Sequence, residues 1–213
     1  MNTHPKEIRE RAIKDAKCAL ILDAARKLFA RKGYWETRLE DIAAAAGFSK
    51  ASLYNYYVDK EAIFLSIVID ENAKVMGQIE AAIQNTETFA KALESILRII
   101  FKVIGEDIGI MVNAANFQNM VAMHANMFKH KELLEQFISS SNHFFKLLQG
   151  LVHRARSAGE ISSVLDDETL SRFIGLFIQG ILFEWDMAKK KANMGSKITQ
   201  MLDFVKQGAG VAK

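Results

Sequence analysis

The chain has 213 residues, half of them hydrophobic and a quarter charged, which excludes a disordered polymer and leaves room for one large domain or a small one joined to a medium one. A single proline, Pro5, and the absence of Pro/Gly clusters argue against an all-β fold. The net charge of +3 is gathered at one end: residues 1–60 hold 12 Lys/Arg against 8 Asp/Glu, the remainder 16 against 17.

The first twenty residues are charged throughout, so no signal peptide is expected. The most apolar run, Phe173 to Phe183, is eleven residues with a glutamine inside, far short of the roughly 20 needed to cross a bilayer. A soluble, cytoplasmic, all-α protein without membrane association is the expectation. The lone cysteine, Cys18, cannot form an internal disulfide and reads as a small apolar group or, less simply, as a reactive thiol.

In chain order, Leu20, Ile21, Ala24, Ala25, Leu28 and Phe29 recur at helical spacing and predict a helix from Lys17 to Lys32, closed by Gly33. Thr37 followed by Glu40 reads as a capping box for a short second helix, ended by Gly47. Ser49 is placed to cap a third helix from Lys50, and Asp59 a fourth running to about residue 82. Further apolar stripes follow: Phe89 to Ile104, Leu133 to Val152, and Leu170 to Trp185. A terminal helix is expected from Lys197 to Lys206. The division predicted is a head at 1–62 and a larger helical domain at 63–213.

Two short helices separated by "AGFS" form a helix-turn-helix candidate, though such turns also occur in purely structural pairs. At about 100° per residue, Leu53 and Tyr57 share the core side of the third helix. Ala51, Ser52 and Asn55 lie opposite, with side chains short enough for close approach to a major-groove floor. Tyr54 and Tyr56 flank this arc, where a phenol can donate to a phosphate oxygen.

The stretch "ILDAARKLFARKGYWETRLEDIAAAAGFSKASLYNYYVDKEAIF", residues 21–64, resembles the DNA-binding head of the TetR family of bacterial one-component regulators. Ala51 and Phe48 stand where that family often has glycine and valine, and Val58 where proline is frequent. The resemblance implies that Thr37 touches a phosphate and that Ser49 opens the recognition helix. Lys50, Ala51, Ser52 and Asn55 would face bases or the groove edge, and Tyr54, Tyr56 and Lys60 would grip the backbone. The N-terminal Lys6, Arg9, Arg11, Lys14 and Lys17 add phosphate or minor-groove contacts, or form a solvated helix with Glu7, Glu10 and Asp15.

The resemblance further implies a homodimer on a near-palindromic double-stranded operator. Its interface would come from helices at about 131–157 and 167–190, with Phe144, Leu148, Phe173, Phe177 and Ile181 as candidates and Gly175 and Gly180 permitting close approach. Burial within one subunit is the competing reading. Residues 108–128 would line an effector pocket for a small apolar or amphipathic molecule, through Met111, Asn113, Phe117, Met120, Met123, His124 and Met127, with Trp185 from a later helix. Ordinary core packing explains the same stripe.

No catalytic or metal pattern is present: no H-E-x-x-H, paired cysteines, phosphate loop or G-x-S-x-G. His4, His124, His130, His143 and His153 include no pair four apart. Neither enzyme activity nor a cofactor or metal is expected. A ligand-released repressor is the reading, with an activating or effector-free regulator, or a helical carrier whose head no longer binds DNA, as alternatives.

Overall fold

The computed structural model describes residues 4–84, 86–103, 129–187 and 194–210. These fold into helices α1 (Pro5–Glu36), α2 (Leu39–Ala45), α3 (Lys50–Leu53), α4 (Lys60–Gln84), α5 (described over 89–103), α6 (Lys131–Ser157), α7 (Asp167–Met187) and α8 (Met194–Ala209). By compactness they fall into two units, one drawn from 1–70 and 109–135, the other from 71–108 and 136–213.

In the first unit the core forms from Ile21, Ala25, Leu28 and Phe29 of α1, Ile42 and Ala43 of α2, Leu53 of α3, and Ile63, Phe64 and Ile67 of α4, all buried. Phe29 meets Phe64 edge-on at 5.4 Å between centroids and Tyr34 at 5.8 Å, while Tyr34 and Phe64 lie 4.8 Å apart. This triad ties the end of α1 to the first turns of α4.

Local signals place most of the boundaries. Ser49 Oγ accepts from the Ser52 amide at 3.1 Å, capping α3, and Asp59 Oδ1 accepts from the Ala62 amide at 2.9 Å, capping α4. Gly47 turns at φ 76°, the left-handed region that costs glycine least. Gly33, at φ 81° and ψ 166°, breaks α1 before a last half-turn.

Four expectations change. Helix α1 begins at Pro5 rather than Lys17, with proline in its first turn and Glu7 close behind. The capping box fails: Arg38 holds the cap position of α2 without a side-chain bond, because the Thr37 hydroxyl donates backwards to Gly33 O at 2.7 Å. Helix α3 is four residues long, and tightens into a turn as the Tyr56 amide donates to Leu53 O at 2.9 Å. Helix α8 exceeds its expected span at both ends.

In the second unit α5, α6, α7 and α8 bury Phe89, Leu93, Ile96, Leu148, Val152, Ile174, Ile178, Met201 and Val205. The turn between α6 and α7 is organised by Arg156, whose guanidinium donates to Asp167 Oδ1 at 2.7 Å, Ser163 O at 2.7 Å and Leu165 O at 2.5 Å. Glu160 from the same turn accepts the Phe89 amide at 2.7 Å, closing the start of α5. Gly175 admits the Phe145 ring of its own chain: a Cβ there would come within 2.5 Å of it. Close approach at this glycine is therefore between α6 and α7 of one chain. No described helix is long and apolar enough to cross a membrane.

Candidate nucleic-acid interface

Helices α1, α2 and α3 pack in succession, and α3 is held by one anchor, Leu53, which is fully buried. Ala51 and Asn55 are exposed, and Tyr54 is 47 % exposed. That leaves a methyl, an amide and a phenol facing outward, side chains of the kind that contact base edges and phosphates in a groove. The Ser52 hydroxyl is already engaged with Ser49 Oγ at 2.8 Å. Tyr56 is half-buried, its ring edge-on to Phe48 at 5.8 Å between centroids. Lys50 pairs with Glu40, so a phosphate or base edge competes with a carboxylate for its ammonium. That exposed pair holds Lys50 above the ordinary ammonium range, chiefly through the Glu40 hydrogen bond.

Two expected contacts are corrected. Thr37 is 1 % exposed, and its hydroxyl is spent on Gly33 O, so its side chain cannot reach a phosphate. Lys60 does not reach outward either. Its ammonium donates to Tyr34 O at 2.8 Å and Thr37 O at 2.9 Å, and it lies 4.3 Å from the centre of the Tyr34 ring. Desolvation pulls its pKa below the usual ammonium range, with Glu36 opposing. Lys60 ties off the end of α1 and positions the entry to α2.

A second constellation lies at the start of α4. His130 Nε2 is 2.9 Å from both carboxylate oxygens of Asp59. Glu61 accepts from the backbone amides of Lys129 and His130, at 3.0 and 3.3 Å. Burial pushes the Asp59 carboxyl up, but the Ala62 amide and His130 outweigh it and hold the pKa below the usual carboxylate range. The residue ending the recognition turn is thus fastened to the residue before α6. No local pattern reveals a pair 71 residues apart; only the folded chain brings them together.

Tyr57 keeps to the core side with Leu53. Burial first, then Cys18 electrostatically and by hydrogen bond, pushes its phenol up to about 12, against Ser66. Tyr34 is likewise pushed up to about 12, by burial and then by Glu61 and Asp59. An unfolded chain releases these protons near 10.0, so between pH 10 and 12 the folded state binds more protons than the unfolded one. The phenols' contribution is complete below pH 10 and lost as pH rises toward 12. Tyr57→Phe should therefore flatten the alkaline fall of the melting temperature relative to its own neutral-pH value. An unchanged profile would count against a buried phenol.

The proposed ligand residues Met111, Asn113, Phe117, Met120, Met123, His124 and Met127 lie outside the described residues, as does the side chain of Trp185. Of the proposed interface residues, Leu148 is fully buried in its own chain and cannot meet a partner. Phe173 is 55 % exposed and its neighbour Leu176, which the sequence did not single out, 51 %. Phe144, Phe177 and Ile181 are half-buried, Phe177 stacking on Phe204 at 4.5 Å.

Residues 21–67 match the model of the bacterial regulatory proteins of the tetR family. The chain is 23 % identical over 188 residues to the fatty acid metabolism regulator protein of Bacillus subtilis (strain 168), covering 88 % of this chain and 93 % of that one. It is 23 % identical over 165 residues to the transcriptional regulator UidR of Escherichia coli (strain K12), covering 76 % and 78 %. Its fold is similar to that of FadR from Bacillus subtilis solved with stearoyl-CoA, at TM-score 0.72 and 22 % identity over 89 % of this chain and 98 % of that one. The buried Leu53 anchor, the capped one-turn helix and the exposed residues after it all lie within the match: residues 21–67 are a DNA-binding head of the tetR family.

Proposed function

We propose that the protein is a cytoplasmic, dimeric repressor, released from a near-palindromic operator by a small apolar or amphipathic ligand. The observation that carries the ligand response is the junction of Asp59 and Glu61 with residues 129 and 130. Those residues directly follow the segment 108–128 proposed to receive the ligand. A change there can reach the recognition turn through the His130–Asp59 contact and α4. Ligand must bind the free and operator-bound arrangements with different affinity to shift the equilibrium between them. Long-chain acyl thioesters are the first ligands to test, because a relative of similar fold was solved with stearoyl-CoA.

The test is operator binding to the DNA upstream of the protein's own coding region, with and without acyl-CoA, across salt. Six to ten phosphate contacts should cost about 10³ to 10⁵ in affinity between roughly 50 and 200 mM salt. Ligand should then lower affinity further at fixed salt. Equal ligand affinity for free and DNA-bound protein would sink the repressor mechanism, and no salt-dependent binding at all would favour the carrier.

The dimer is tested on α7. Leu176→Glu puts a charge into the exposed Phe173–Leu176 face. Sedimentation should show monomers, with the melting temperature of the isolated chain little changed. Operator binding should weaken, since one head then reads one half-site. A dimer that persists with wild-type affinity would place the interface elsewhere.

A further inference from the structure

Helix α1 extends well beyond the core it serves. Its first buried residue is Ile21, and residues 5–20 are exposed apart from half-buried Cys18. Proline at the first position, Glu7 in the first turn and a Lys6–Glu10 pair at 3.9 Å favour helix there, but no packing of the head requires it. The extension starts beside the recognition turn: Lys17 Nζ lies 5.9 Å from the centre of the Tyr56 ring. At about 100° per residue, Lys14 follows Lys17 on the same side, one turn further out. Glu10 lies on that side too, paired with Lys6, while Glu7 falls on the flank and Asp15 on the opposite face.

We propose that Lys14, Lys17 and Tyr56 form one phosphate-binding strip, so that the α1 extension lies along the sugar–phosphate backbone beside the groove α3 enters. The proposal rests on the reading that the head binds DNA. The helical state of the segment selects the backbone over the minor groove. A helix is about 10–12 Å across with its side chains, whereas the minor groove is about 6 Å wide. The Lys17 cation lies over the Tyr56 ring, so ammonium and phenol can address one stretch of phosphates. At about 1.5 Å per residue, the helix carries cationic side chains roughly 16 Å from Lys17 to Lys6, which lengthens the electrostatic footprint without reading bases.

The test is the full-length Lys14→Ala/Lys17→Ala variant, with affinity measured against salt on the operator and on an unrelated duplex. Losing two phosphate contacts in each head, four in a dimer on its operator, should reduce the slope of log affinity against log salt by about 3 to 4. Affinity should fall roughly tenfold at moderate salt and equally on both duplexes. Lys17→Arg should keep most of the wild-type slope. Lys91→Ala, which removes an exposed lysine of the other unit, should change nothing. An unchanged slope overturns the strip, and so does weaker binding at unchanged slope, which would make Lys17 a support for Tyr56 alone. Wild-type protein without salt-dependent binding to any duplex overturns the DNA-binding reading itself, and the strip with it.

Discussion

Phe29→Ala should destabilise the head by about 3–5 kcal/mol. Phe29 is fully buried and meets both Phe64 and Tyr34. Its loss therefore opens a cavity where α1 joins α4, and the backbone on either side is already committed to helix. Small domains have only about 5–15 kcal/mol in all, so the variant should bring the head near its unfolding midpoint. Urea denaturation followed by circular dichroism should show an early transition belonging to the head. Operator binding should fall with it, because α3 hangs on the same core through Leu53. A loss below about 1 kcal/mol would mean that the ring is not the keystone its contacts suggest.

Lys60→Met should cost about 2–3 kcal/mol, because the carbonyls of Tyr34 and Thr37 lose a charged donor while the apolar stem stays. Amide exchange should quicken across 34–39, the segment Lys60 ties down. Operator affinity should drop through misplacement of α2, with the salt slope unchanged. A phosphate contact predicts the opposite pattern: stability retained and the slope reduced by about 0.9 for each head of the dimer. Lys60→Arg should rescue only in part, since a planar fork does not reproduce one ammonium shared among the carbonyls of Tyr34, Trp35 and Thr37 and a ring.

These two residues mark where a sequence reading succeeds and where it stops. Phe29 announces itself by spacing: with Ile21, Ala25 and Leu28 it forms the one apolar stripe of α1, and such a stripe must be buried. Lys60 sits in a motif position that suggests phosphate, but its partners lie 23 and 26 residues earlier in the chain. Nothing in their spacing says that a cluster of carbonyls will face it. Thr37 misled similarly. Its distance from Glu40 fits a capping box, yet the break at Gly33 offers its hydroxyl a nearer acceptor. Leu148 misled in the same way: its stripe spacing fits an interface, and only the approach of α6 to α7 covers it within its own chain.

What the sequence determined by itself is the helical class, the turn at Gly47, the caps at Ser49 and Asp59, and the burial of Leu53 with Ala51 and Asn55 exposed. Each is set by hydrogen bonds or side-chain directions within about four residues, so spacing suffices. The tertiary structure alone decided that Lys60 and Thr37 face inward, that His130 fastens Asp59, and that Lys17 stands beside Tyr56. The physical reason is desolvation. Whether a polar group turns to solvent, to DNA or to its own backbone depends on which distant elements exclude water from it.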